Sequence, residues 1–226
     1  MGGSMNIFES ILLAELNLGL PPLTFYKLFQ EPSDWSFILK LHAVVECTLS
    51  RLLEKRVPED FEATSTFVSK LQLAFELPDL AHDDHYRSFL TALNFLRNRF
   101  AHRASYIVSD LRTVLQEIPA HKRDAVLLSL AVAAKIPGTQ EDDPRNRPLR
   151  RKFILDKPRF TIGMSAAYAL DMLSLVYFIH LGKDGKWYAE EFRPQLQDLL
   201  HDPRVLEFRR KIESEFPDDL SSSSGA

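Results

Sequence analysis

The sequence holds one cysteine, Cys47, and eight glycines in 226 residues. A lone thiol excludes a disulfide framework and any zinc site built on several thiolates, and it fits a reducing, cytoplasmic setting. So few glycines, with 13 prolines in no fixed period, exclude collagen-like and low-complexity classes. Neither sign of charge dominates: 28 basic and 31 acidic side chains leave a net −3. That balance, with a pI near 6.2, excludes a uniformly basic nucleic-acid binder but not a local basic site. No glycine-rich loop of the phosphate-cradling kind and no serine nucleophile elbow occurs. No basic stretch followed by an apolar run opens the chain, so no signal peptide is expected. Residues 1–4, ahead of Met5, read as a cloning scar, and the serine-rich stretch 221–226 reads as a disordered tail.

What is present is a chain of 45% hydrophobic residues, expected to fold as one domain over 5–220. Its apolar residues recur at steps of three and four. From Ser33 to Arg56 they fall at Ile38, Leu41, Val45, Leu49, Leu52 and Leu53, a helical stripe with Ser33 or Asp34 available as cap and Pro58 as stop. Thr64–Glu76 repeats the pattern. His82–Ala101 follows with Phe89, Leu90, Leu93, Leu96 and Phe100, and with Asp83 and Asp84 where the helix dipole favours carboxylates. Ser109–Ile118, Lys122–Ile136, Tyr188–Leu200 and Val205–Phe216 are further helices, with a turn at Gly182–Gly185. Only Lys152–Leu155 suggests a short strand. The fold class is all-α, a bundle with additional C-terminal helices.

The run Phe160–Leu181 carries a single charge, Asp171, near its middle. Its length can span a bilayer, but a central aspartate there costs about 2.5–3.5 kcal/mol. A helix buried on nearly all sides of a bundle is expected, and no membrane partner.

The exception to helical patterning is 137–159, read as a long proline-rich loop because prolines stand at 137, 144, 148 and 158. After Glu141, Asp142 and Asp143 come Arg145, Arg147, Arg150, Arg151, Lys152, Lys157 and Arg159 against only Asp156. A basic arm of that density suits contacts with an RNA phosphate backbone, assigned to Arg145, Arg147, Arg150, Arg151 and Lys152. The competing reading is a solvated loop that ion-pairs with the acidic surface.

The remaining chemistry concentrates at Leu96-Arg97-Asn98-Arg99-Phe100-Ala101-His102-Arg103, where an apolar helix closes on three arginines and a histidine. Histidine titrates near neutral pH and serves as acid or base, while arginine stays charged and forks onto phosphate oxygens. The bland role for the same residues is to complement the dipole and cap carbonyls of a helix end. The run LRNRFAH resembles the R-x(4–6)-H motif of the HEPN superfamily (higher eukaryotes and prokaryotes nucleotide-binding domains). The resemblance covers roughly 33–118, with 160–181 as a further bundle helix. It implies a helical bundle that forms homodimers and places two copies of the motif in one cleft. It also implies metal-independent endoribonuclease activity of the kind found in toxin–antitoxin and phage-defence systems, with no cofactor and no metal. By residue, Arg97 and His102 match the catalytic pair and Asn98 its polar neighbour. Arg99 and Arg103 are supporting cations. Glu46, on the earlier helix, is a candidate to pair with Arg97 and orient it, or else an i,i+4 partner of His42. Some members carry a tyrosine two positions after the histidine, which a partner antitoxin modifies; here that position is Ala104, so that acceptor is missing.

On a continuous helix at about 100° per residue, Arg97 and His102 lie roughly 140° apart. They share a site only if the helix bends or ends early, or a second chain completes it. His82-Asp83-Asp84-His85 is a weak metal candidate, better read as a helix start. Cys47 is expected to be a buried structural thiol. The leading functional reading is an endoribonuclease acting on RNA, with an antitoxin or regulatory protein as possible partner. The alternatives are a non-catalytic HEPN-like regulator or binding module and a purely structural interaction protein.

Overall fold

The computed structural model describes residues 7–54, 66–134, 143–180 and 194–215, and among them every regular element is helical. In chain order these are α1 (Ile7–Asn17), α2 (Thr24–Phe29), α3 (Asp34–Leu53), α4 (Phe67–Ala74), α5 (Asp84–His102), a 3-10 turn (Ala104–Val108), α6 (Leu111–Gln116), α7 (Ala120–Leu130), α8 (Asn146–Asp156) and α9 (Pro158–His180). A helical stretch over 194–200, α10, and then α11 (Pro203–Glu215) follow. Sequence patterning placed nothing before Ser33, so α1 and α2 are additions to it. The stop at Pro58 and the turn at Gly182–Gly185 lie outside the described residues.

Caps explain where several helices begin. The hydroxyl of Ser33 accepts from the Ser36 amide at 3.1 Å, that of Thr66 from Ser69 at 3.2 Å, and the carboxylate of Asp110 from Thr113 at 2.7 Å. Each such cap contributes about 1 kcal/mol. Asp34 goes further. One of its oxygens accepts the Leu111 amide at 2.7 Å and the other the Arg159 guanidinium at 2.6 Å, so one carboxylate joins the starts of α3, α6 and α9.

The long helices α3, α5 and α9 carry the core. Phe37, Ile38, Leu41, Val45 and Leu49 of α3 are fully buried, as are Phe89, Leu90, Leu93, Leu96 and Phe100 of α5. Apart from Phe37, which the sequence stripe did not include, those are the residues read from the sequence. α9 packs against α3, α1, α5 and α8, and α7 lies between α5 and α8. α9 is the one described helix long and apolar enough to cross a membrane, and 67% of that span is buried inside the protein. Its Gly163 admits the ring of Phe29 so closely that a Cβ there would stand 2.2 Å from the ring.

The proline-rich loop expected over 137–159 is corrected where it is described. Residues 146–156 form α8, α9 begins at Pro158, and the strand suggested at Lys152–Leu155 lies inside α8. The physical reason is proline placement. Pro148 and Pro158 each stand in the first turn of a helix, where a missing N–H leaves no bond unmade. Asp143 supports the entry by accepting the Arg145 amide at 2.9 Å, and Phe153 and Ile154 bury the inner face.

The α1–α2 corner is built on a buried acid. The turn after α1 contains Gly19, whose φ of 58° a glycine adopts without strain. Leu23, before α2, holds a left-handed φ of 64° with a side chain. Its amide and that of Phe25 donate to the two carboxylate oxygens of Glu15 at 2.8 and 2.7 Å. Glu15 is 1% exposed, beneath a crevice that Tyr26, Val205 and Phe208 help to line. Burial raises its pKa from 4.5 to about 7 even though the two amides pull the other way.

Candidate functional site

The motif closes α5. Phe89, Leu93, Leu96 and Phe100 point into the bundle, which turns the polar residues between them toward the rim. α5 runs unbroken through His102, so Arg97 and His102 stay roughly 140° apart on one helix and do not converge on one point within a single chain. Arg97 is half-buried, and its Nη1 donates to Oδ1 of Asn98 at 2.9 Å. Asn98 and His102, four residues apart, are neighbours on the outer face. His102 is exposed and makes no hydrogen bond or ion pair among the described residues.

The two supporting arginines are engaged elsewhere. Arg99 donates to the hydroxyl of Tyr106 at 2.6 Å and to the Glu117 carbonyl at 3.3 Å, with its guanidinium 5.4 Å from the Tyr106 ring centre. Arg103 donates to the same hydroxyl at 2.9 Å and lies 3.9 Å from the Glu117 carboxylate. Tyr106, buried beside Phe100, in turn donates to that carboxylate. Arg99 and Arg103 therefore fasten the 3-10 turn to the end of α6. The apparent basic patch at 97–103 is divided: two cations tie chain to chain, while Arg97 and His102 remain at the surface.

Glu46 does not pair with Arg97. Its carboxylate stands 3.7 Å from Nδ1 of His42, the i,i+4 arrangement, and 3.7 Å from Nζ of Lys70 on α4. Lys70, 8% exposed, donates to the Ser50 hydroxyl at 2.8 Å. His42, 3% exposed, has Nε2 3.1 Å from Oδ1 of Asn94 on α5 and its ring 4.3 Å from that of Phe67. Burial pushes its pKa below the ordinary value, and the Arg97 charge adds to that, against the bond to Asn94 and the charge of Glu46. Sequence reasoning did not single out Lys70 or Asn94, and named His42 only as the alternative i,i+4 partner of Glu46, which is the arrangement found. The available signal was a polar residue at a core-facing step, as His42 is between Ile38 and Val45 and Lys70 is between Phe67 and Leu71.

The basic segment also divides. Arg145 pairs with Asp143 at 2.6 Å and Arg151 with Asp124 at 2.7 Å, holding both carboxyls below the usual range. Arg150 is buried and reaches the carbonyls of Ala134 and Val132 at 3.3 and 3.4 Å. Arg159 is bound to Asp34, as above. Arg147 and Lys152 are exposed, and their side chains make no hydrogen bond or ion pair among the described residues, although the Arg147 charge adds to the lowering of the Asp124 pKa. Helix formation recruits Arg150, Arg151 and Arg159 by bringing each within reach of an acid or carbonyl on a neighbouring element, whereas Arg145 pairs locally in the turn before α8.

Among the described residues no three histidine, cysteine or acidic side chains gather as a metal site would require. His82 is exposed in the turn before α5, and Asp83 makes no side-chain cap bond. Cys47, expected to be buried, is exposed. On α3 it lies about 200° from Val45, on the side away from the core stripe. No protein-family model, curated protein or solved structure matches the chain.

Proposed function

We propose that this chain is a metal-independent endoribonuclease of the HEPN type, a toxin or phage-defence effector working in the cytoplasm as a homodimer. The observation that carries the reading is the division of labour along α5. Arg99 within the motif and Arg103 just after it are tied to Tyr106 and Glu117, while His102 stands exposed and Arg97 rests on Asn98, one turn before His102.

The chemistry follows from those groups. A ribose 2′-OH attacks the adjacent phosphorus, the bond to the 5′-oxygen breaks, and a 2′,3′-cyclic phosphate and a free 5′-hydroxyl are left. One imidazole takes the 2′-OH proton and a second gives one to the leaving oxygen. Each chain supplies one motif histidine, so His102 and the partner's His102 share the two roles. Arg97 places fixed positive charge against the phosphorane. A second copy also answers the angle between Arg97 and His102, since the arginine of one chain can serve the histidine of the other. The required 2′-OH selects RNA over DNA. Arg147 and Lys152 are the exposed cations of α8 that can follow the phosphate backbone.

The test is incubation of the purified protein with RNA in EDTA, beside Arg97→Ala and His102→Ala, with analysis of product ends and of mass by light scattering. Expected are cyclic-phosphate ends for the wild type, none for either variant, and a dimer. Intact RNA with wild type, or equal cleavage by all three proteins, refutes the reading. A monomer refutes the shared site. The open placement of Arg97 and His102 on different sides of one helix is what favours the alternative, a non-catalytic HEPN-like module that binds nucleotide, RNA or a regulatory protein.

A further inference from the structure

Arg97 has Asn98 beside it and Asn94 one turn back on α5, and its charge reaches His42, on which the carboxylate of Glu46 also acts. Left alone, a half-buried guanidinium favours a carboxylate over an amide oxygen, because the carboxylate adds an opposite full charge to the hydrogen bond. Yet Arg97 bonds Asn98. Asn94 and Glu46 both face other donors. His42 Nε2 stands against Asn94 Oδ1 at 3.1 Å, and Lys70 and His42 both hold Glu46 at 3.7 Å. Lys70 is itself kept in place by Ser50, and His42 by the ring of Phe67.

We propose that His42 and Lys70 are positioning residues for the motif arginine, occupying the acceptors Asn94 and Glu46 so that Arg97 stays on Asn98 at the rim, available to an RNA phosphate. The inference deepens the ribonuclease reading and rests on Arg97 being the phosphate ligand. The neutral imidazole is the form that suits the task. With its proton on Nε2 it donates to Asn94, and it adds no positive charge beside Arg97. The charged groups facing His42 are Glu46 from α3, with Lys70 of α4 behind it, and Arg97 from α5.

Two substitutions empty the acceptors singly. His42→Phe keeps a ring against Phe67 but frees Asn94, and Lys70→Met keeps the length of the side chain but frees Glu46. Each is measured for RNA cleavage in EDTA and for the Arg97 guanidinium signal by nitrogen-15 NMR, assigned by its loss in Arg97→Lys. Loss of one phosphate contact predicts a KM for RNA higher by about tenfold with kcat little changed. It also predicts a shifted Arg97 signal. Both effects should reverse when the freed acceptor is removed, by Asn94→Ala in the first background and by Glu46→Gln in the second. A merely structural role would not be rescued by deleting a further polar group. Unchanged KM and unchanged signal overturn the proposal, as does failure of both rescues. If the wild type leaves RNA intact, the ribonuclease reading fails by itself, and the guanidinium signal alone decides where Arg97 is held.

Discussion

Glu15→Gln should remove a pH dependence from the stability of this protein. The folded state raises the Glu15 pKa from 4.5 to about 7, chiefly through burial. An acid whose folded pKa is raised binds its proton more tightly in the native state than in the unfolded chain. Its contribution is therefore greatest below pH 4.5, falls as pH rises from 4.5 to 7, and is flat above. The shift corresponds to about 3 kcal/mol across that window, an upper value because the denatured chain is treated as fully solvated. His42 works in the opposite sense. Its folded pKa is lowered, so it contributes least at acid pH, and the overlap makes the wild-type profile alone a poor measure. The difference between wild type and variant isolates Glu15. The assay is urea unfolding followed by helical circular dichroism at pH 5, 6, 7 and 8. The wild type should lose stability relative to Glu15→Gln between pH 5 and 7, at up to about 1.4 kcal/mol per pH unit. Glutamine also turns an N–H toward the Leu23 and Phe25 amides, so the variant should start lower at pH 5. Parallel profiles over the whole range would show that Glu15 is not buried as a titrating acid, and the argument would fail.

Gly163→Ala brings a Cβ to 2.2 Å from the Phe29 ring and should destabilise by about 1–3 kcal/mol, read as a lower Tm by calorimetry. Tyr106→Phe removes the hydroxyl that serves Arg99, Arg103 and Glu117, of which Arg99 is partly buried and the other two are exposed. A loss of about 1 kcal/mol is expected, with increased hydrogen exchange in the 3-10 turn. For RNA binding, Arg147→Glu and Lys152→Glu should each weaken affinity and flatten its salt dependence by about one counterion, whereas Arg145→Glu, already paired with Asp143, should do less. Equal effects at all three positions would count against the division of the basic segment.

The sequence made the long amphipathic helices legible because their core faces repeat: Ile38, Leu41, Val45 and Leu49 are buried where the stripe put them, and Ser33 caps where a cap was available. It failed where one residue type has two meanings. Proline reads as a breaker, yet Pro148 and Pro158 open helices. Arginine reads as a surface cation, yet Arg150 fills a buried place against two carbonyls and Arg159 closes on Asp34. The motif at Arg97–His102 was visible as a pattern. Its neighbours were not, because His42, Lys70 and Asn94 come from three helices and meet only through packing. The angular separation of Arg97 and His102 was calculable in advance, and the unbroken α5 settles which of its stated conditions does not apply.

The Asp34 junction bears on how the chain comes apart. The carboxylate satisfies the Leu111 amide and the Arg159 guanidinium at once, across 77 and 125 positions of sequence. Removing either partner leaves a charge or a donor stranded near the bundle wall, so the starts of α3, α6 and α9 open together rather than in turn. The start of α6 is tied to that of α3 within 33–118, and Arg159 adds the start of α9 from beyond that stretch. Long-range closure of this kind lowers the folding rate and sharpens the unfolding transition, and it makes the exchange of one backbone amide, at Leu111, a gauge of the whole assembly.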